Sequence, residues 1–257
     1  MAVTIDQIKD LREKTGVSMM ACKKALEESG GDSGKAIELL RKKGEAKAVD
    51  NSSRTTGQGA IAVKAEGNKI AMVELRCETD FVAMGEDYQG LAESIADKLL
   101  KGEIKETDRD LPEVKEAVLR LGENIQIADM VLLEGDSVGS YVHSNKKIGV
   151  VVALSGGNIE LAKDLAMHAA ATSPQVLSPS EVAQELVDKE KEIWADQLKQ
   201  EGKPAEMIEK IMMGKEKKFR EENALLTQPF VKDPDKMVEA LLKEANAVVK
   251  EFKRFAI

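Results

Sequence analysis

A chain of 257 residues with 42% hydrophobic content can bury one large core or several small ones, which argues against disorder throughout. Its 38 basic and 46 acidic residues leave a formal charge of -8, which disfavours a primary nucleic-acid binder because phosphate contacts need a basic field. Cys22 and Cys77 lie far apart and match neither a disulfide framework nor a four-ligand zinc pattern, so reduced thiols are expected.

The N-terminus carries acids early and lacks the apolar run of a secretory leader, and the longest apolar stretch, near residues 148–154, is far short of the ~20 residues that span a membrane. A cytoplasmic location follows as an expectation. Thr4 and Gln7 form a capping-box pattern, after which Ile5, Ile8 and Leu11 recur on one face until Gly16. Ser18 can cap a second helix that stops at Gly30-Gly31, and Asp32 a third that stops at Gly44. The three must share one small centre made of Ile8, Leu11, Cys22, Leu26, Ile37 and Leu40. Polar "VDNSSRTTGQG" then reads as a linker.

Two β-like runs joined at Gly67-Asn68 predict a hairpin, followed by a loop holding Phe81 and a helix bearing Leu91, Ile95 and Leu99. Asp110, Pro112 and Glu113 sign the start of a further helix, with Val114, Ala117, Val118 and Leu121 on its face and Gly122 at its end. The segment "SYVHSNKKIGVVVALSGGNIELAKDLAMHAAA" repeats the plan of strand, turn, strand, loop and helix, with Ile70 superposed on Ile148 and Val73 on Val151. Between the second strand and the helix the first copy carries the longer "RCETDFVAMGEDYQG". Loop length that a fold's own repeat can do without is where function tends to sit.

Ser178, Pro179 and Glu181 open a long predicted helix through Val182, Leu186, Ile193, Trp194 and Leu198, and a turn at Gly202-Lys203-Pro204 leads to a second with Met207, Ile208, Ile211, Met212 and Phe219 on one side. Two amphipathic helices so connected predict an antiparallel hairpin projecting from the body. Asp233-Pro234 predicts another helix, and "AVVKEFKRFAI" a returning strand.

Few residues offer catalytic chemistry. His143 and His168 are the two histidines, which excludes a histidine-rich metal site and gives a histidine triad little support. His168, in "LAMHAAA", reads as a satisfied core histidine, and His143 lies near a hairpin tip, as a solvated turn or a partner contact. No phosphate-binding loop of the GxxxxGK[ST] type occurs, so direct nucleotide binding is not expected. Met19 and Met20 are adjacent on a helix, so one can be centred on the core while the other, with Lys23 one turn on, is presented outward. Phe81, an aromatic set among acids, either folds back into its own core or is received by another protein.

In order, "LREKTGVSMMACKKALEESGGDSGKAIELLRKKG", "ETDFVA", "LGENIQI", "VGSYVHSNKKIGV", "LAMHAAA" and "GKPAEMIEKIMMGKEKKFREENALLTQPFVKD" resemble the bacterial elongation factor Ts family over about residues 3–255. The resemblance implies an α+β fold with an N-terminal UBA-like three-helix domain (1–52). It also implies a core of two duplicated α+β subdomains (53–138, and 139–178 with 228–257) and an inserted antiparallel coiled-coil hairpin (179–227). It implies a guanine nucleotide exchange factor for elongation factor Tu in the elongation step of protein synthesis, with no covalent chemistry, cofactor, metal or membrane involved. By the same resemblance Thr79, Asp80, Phe81 and Val82 form the working element: Phe81 enters an apolar pocket of the GTPase and Asp80 acts on the neighbouring helix, disturbing the elements that hold Mg²⁺ and phosphate. Met19, Met20 and Lys23 would meet a helix of the GTPase domain, Leu121 and Gly122 would support the Phe81 loop or its contact, and His143 would reach another domain. The coiled coil or the core is a candidate homodimer surface. The rival classes are a scaffold or adaptor without exchange activity and an enzyme built on Glu78, Asp80 and His143.

Overall fold

The computed structural model describes residues 3–201 and 204–257, and its architecture is mixed α and β. The chain opens with three helices, α1 (Ile5–Thr15), α2 (Met19–Glu28) and α3 (Ser33–Asn51). The Thr4–Gln7 capping box forms in both directions, Ser18 caps α2, and the Asp32 carboxylate accepts the Lys35 N–H at 3.0 Å. Ile8, Leu11, Cys22, Leu26 and Leu40 fill the shared centre with Val17, Ala25 and Ala36, and Ile37 packs at its margin.

The third helix does not stop at Gly44 but continues to Asn51. Gly44 is buried against helix α6 (Pro112–Leu121), where an added Cβ would lie 3.3 Å from the Lys115 carbonyl and 3.4 Å from Leu119. That glycine permits two helix backbones to approach, a use that looks like a terminator in one dimension. The expected linker is correspondingly shorter and is tied down, with Asn124 Nδ2 donating to the Arg54 carbonyl at 2.8 Å and Gln126 Nε2 to the Thr56 hydroxyl at 2.6 Å.

Two three-stranded antiparallel sheets follow the same plan. The first has the order β1 (Gln58–Glu66), β2 (Lys69–Cys77), β3 (Gln126–Glu134), and the second β4 (Ser137–Val142), β5 (Ile148–Gly156), β8 (Ala247–Ala256). β3 was not foreseen, whereas β8 is the returning strand. The sheets stack face to face through Ile61, Ile70, Met72, Val131 and Leu133 on one side and Val138, Val151, Ala153 and Phe255 on the other. α5 (Glu86–Leu100) and α6 cover the outside of the first sheet, α7 (Ile159–Thr172) and α10 (Val238–Glu244) that of the second.

This layering corrects the register of the repeat by one residue. Val73 faces the helices, and so does Val152, whereas Val151 faces the opposing sheet. A single-residue slip exchanges the two faces of a strand, and where both strands are buried on both faces, at 70–73 and 149–154, no alternation of polar residues reveals it.

Several expected boundaries also move. Asp110 does not cap α6, since Leu111 holds that position and Asp110 pairs with Lys115 at 2.9 Å. Ser178–Glu181 closes its own hydrogen bond at 2.8 Å but starts only a 3-10 turn, and α8 (Gln184–Gln200) begins after it, burying Val187 instead of Leu186. α9 (Ala205–Glu222) runs back along α8, with Lys191–Glu216 at 2.7 Å and the Trp194 and Phe219 rings edge-on at 5.7 Å. The turn residues Gly202 and Lys203 lie outside the described residues. Asp233-Pro234 begins a short strand, β7 (Asp233–Met237), paired with β6 (Pro229–Phe230), and α10 starts only at Val238.

Candidate partner-binding site

β2 ends at Cys77, and residues 78–85 carry the chain to α5. The expected loop is instead a one-turn helix, α4 (Asp80–Met84). Thr79 is extended, at φ -120° and ψ 155°, and its hydroxyl accepts the Val82 N–H at 3.4 Å, while Asp80 supplies an acid in the first turn. Gly85, at ψ 139°, ends it. Ala83 is buried and Val82 packs against the first core, whereas Asp80, Phe81 and Met84 face outward. Phe81 is 82% exposed, so it does not fold back into its own core.

The foot of this turn is clamped from the segment after α6. Glu123 Oε2 accepts the N–H groups of Glu78 and Thr79, each at 3.0 Å, and Oε1 accepts the Thr79 hydroxyl at 2.6 Å. In return Glu78 Oε1 accepts the Asn124 N–H at 2.7 Å and Arg54 Nη1 at 3.3 Å. At the other end Gln89 Nε2 donates to the carbonyls of Ala83 and Met84, both at 3.4 Å. Beneath the turn the Cys77 thiol donates to the Thr79 carbonyl at 3.2 Å, and burial raises its pKa. Charge-assisted bonds to backbone N–H groups are stronger than neutral ones, so a turn of five residues is fixed despite its length.

Leu121 is half-buried against the first core, and Gly122 caps α6 at φ +81°, the left-handed conformation that turns the chain toward Glu123. Sequence reasoning named these two and passed over Glu123 and Asn124, which make the bonds. The signal was the "GEN" following a predicted helix stop, but nothing local connects Glu123 to Thr79, 44 positions away.

The other named residues stand on separate elements. Met19 and Met20 are 36% and 75% exposed, so neither is centred on the core, contrary to expectation. The buried stripe of α2 begins at Cys22 and continues with Ala25 and Leu26, which leaves the first turn outside it. Lys23, half-exposed, meets Glu27 at 3.8 Å. His143 lies exposed in the β4–β5 turn, with Nδ1 2.9 Å from Asn145 Oδ1. His168 is fully buried: Nδ1 accepts the Val231 N–H at 3.3 Å, and Nε2 lies 3.0 Å from Gln228 Oε1. Burial lowers its pKa, opposed by the Gln228 bond. Among the described residues no group of three His, Cys, Asp or Glu could hold a metal ion, and no helix is long and apolar enough to cross a membrane.

The family model for elongation factor TS matches residues 78–257, from the foot of the Phe81 turn to the last strand. The chain belongs to the elongation factor Ts family. Elongation factor Ts of Idiomarina loihiensis is 45% identical, over 100% of this chain and 91% of that protein. Elongation factor Ts of Hydrogenobaculum sp. is 44% identical over 100% and 99%, and that of Thioalkalivibrio sulfidiphilus 44% over 100% and 92%.

Proposed function

We propose that this protein is a guanine nucleotide exchange factor for elongation factor Tu, acting in the elongation step of protein synthesis by binding rather than by covalent chemistry. The observation that carries the reading is Phe81, an aromatic ring 82% exposed on a turn whose two ends are tied to its own scaffold. Leaving such a ring in water forgoes ~2 kcal/mol of burial, which a partner's pocket can recover. In this reading Phe81 enters an apolar pocket between helices of the GTPase, and Asp80 acts on the adjoining helix. The elements that support Mg²⁺ and the phosphates of GDP shift as a result. Met19, Met20 and Lys23 add a second contact, and the His143 turn a third. Linkage requires that a factor preferring the nucleotide-free state weaken GDP binding by the same ratio, and GTP then reverses the complex.

The UBA-like character of residues 1–52, the duplicated core (53–138, and 139–178 with 228–257), the coiled-coil character of 179–227, a homodimer surface and a cytoplasmic location belong to the same proposal. Release of a fluorescent GDP from elongation factor Tu tests it: acceleration at substoichiometric concentrations is expected, and its absence rejects the assignment. A scaffold or adaptor would keep binding and show no loss with Phe81→Ala.

A further inference from the structure

We propose that the docking face of α4 is two side chains wide, with Met84 as its second apolar contact, and that it enters an apolar cleft rimmed by positive charge. The inference rests on the exchange reading and adds a residue and a partner chemistry to it. Phe81 and Met84 stand three positions apart on one helical turn, so their side chains share a face, and they are 82% and 65% exposed. Neither can turn inward, because Val82 and Ala83 fill the core side. The clamps hold the backbone at both ends: Glu123 grips Thr79 through two bonds, and Gln89 binds the Met84 carbonyl at 3.4 Å. An unbranched thioether beside a fixed ring suits a pocket whose shape changes as the partner moves.

The surroundings of the pair are acidic. Asp80, Glu86 and Asp87 are exposed; Asp87 meets Arg120 at 3.6 Å, and among the described residues Asp80 and Glu86 have no ion-pair partner. An apolar pair flanked along the chain by the unpaired carboxylates of Asp80 and Glu86 fits a cleft whose rim carries lysine or arginine, which would speed encounter at low ionic strength.

The test measures fluorescent GDP release from elongation factor Tu against factor concentration, for wild type, Met84→Ala, Met84→Leu and Phe81→Ala, at about 50 and 300 mM salt. Met84→Ala is expected to raise the half-saturating concentration about fivefold with little change in maximal rate, and Met84→Leu to stay within about twofold of wild type. Salt is expected to raise the wild-type half-saturating concentration. Equal curves for wild type and Met84→Ala, alongside a defective Phe81→Ala, would overturn the second contact and leave the exchange reading standing. Indifference to salt overturns the charged rim. A wild type that accelerates nothing removes the exchange reading itself, and this inference with it.

Discussion

The two halves of the core pass from central strand to covering helix in different ways. In the second, residues 157–158 suffice: Gly157 turns the chain and Asn158 caps α7, accepting the Leu161 N–H at 2.8 Å. In the first, residues 78–85 make the same passage and build α4 on the way. Both helices then settle on the outer faces of equivalent sheets, so packing does not call for the extra residues. What they add is an apolar side chain held in solvent by polar bonds that reach across the fold. A strand end can therefore carry a rigid projection without enlarging the core, provided that long-range acceptors replace the missing hydrophobic support.

The most direct way to break this comparison is to remove the projected ring. Phe81→Ala is expected to lower the second-order rate constant for GDP release tenfold or more, a loss of ~1.4 kcal/mol or greater. Stability should stay within about 0.5 kcal/mol because the ring is mostly exposed. A thermal melt that drops with the activity would mean that the ring has a structural task, and the contrast between the halves would lose its basis.

Removing a polar support from each junction sharpens the contrast. Glu123→Ala leaves the N–H groups of Glu78 and Thr79 without their acceptor, and is expected to cost about 1–3 kcal/mol in urea unfolding with a several-fold loss of exchange. Glu123→Gln keeps one carbonyl acceptor and should recover part of both. Asn158→Ala, the counterpart in the second half, should cost ~1 kcal/mol of stability and leave exchange per folded molecule unchanged.

A smaller effect separates the halves by pH. His168 packs in the second core, where burial holds its pKa below the ordinary histidine value of 6.5. The unfolded chain therefore binds this proton more readily than the folded one. Stability from this source is complete above pH 6.5 and is lost as pH falls from there toward the folded pKa. Protonation would also place a hydrogen on Nδ1, which now accepts the Val231 N–H. His168→Gln should flatten the fall in melting temperature between pH 7 and the acid range, relative to wild type. An unchanged slope would show that this ring does not control the acid response of the second half.

Local chemistry made the boundaries of the first two helices and the β1–β2 hairpin readable, because caps such as Thr4–Gln7 and the turn at Gly67 act within a few residues. The plan of two like sheets was readable too, and so was the greater length of the first junction. What escaped reading depends on partners distant in sequence. Gly44 is explained by α6, the offset between Val73 and Val152 by which sheet or helix each strand face meets, and Glu123 by a strand end that precedes it by 44 positions. The one-turn helix at Phe81 was missed for another reason. Five residues are too few to show a period, and only the Thr79 cap marks it.

The smallest expected effect probes what lies under the projection. Tyr88 is fully buried beside Cys77, and among the described residues its hydroxyl has no nitrogen or oxygen partner, with the weakly bonding Cys77 thiol next to it; burial raises its pKa. A buried hydroxyl met only by a weak thiol recovers little of its lost hydration, so deleting the oxygen with Tyr88→Phe should leave stability unchanged or raise it by up to about 1 kcal/mol. The clamps on α4 run through Glu123, Thr79 and Gln89 and do not involve that oxygen, so exchange should be unaltered. If Tyr88→Phe instead weakens exchange while the melting temperature holds, the turn is supported from below as well as from its ends. The first junction would then differ from the second in its core as well as in its polar clamps.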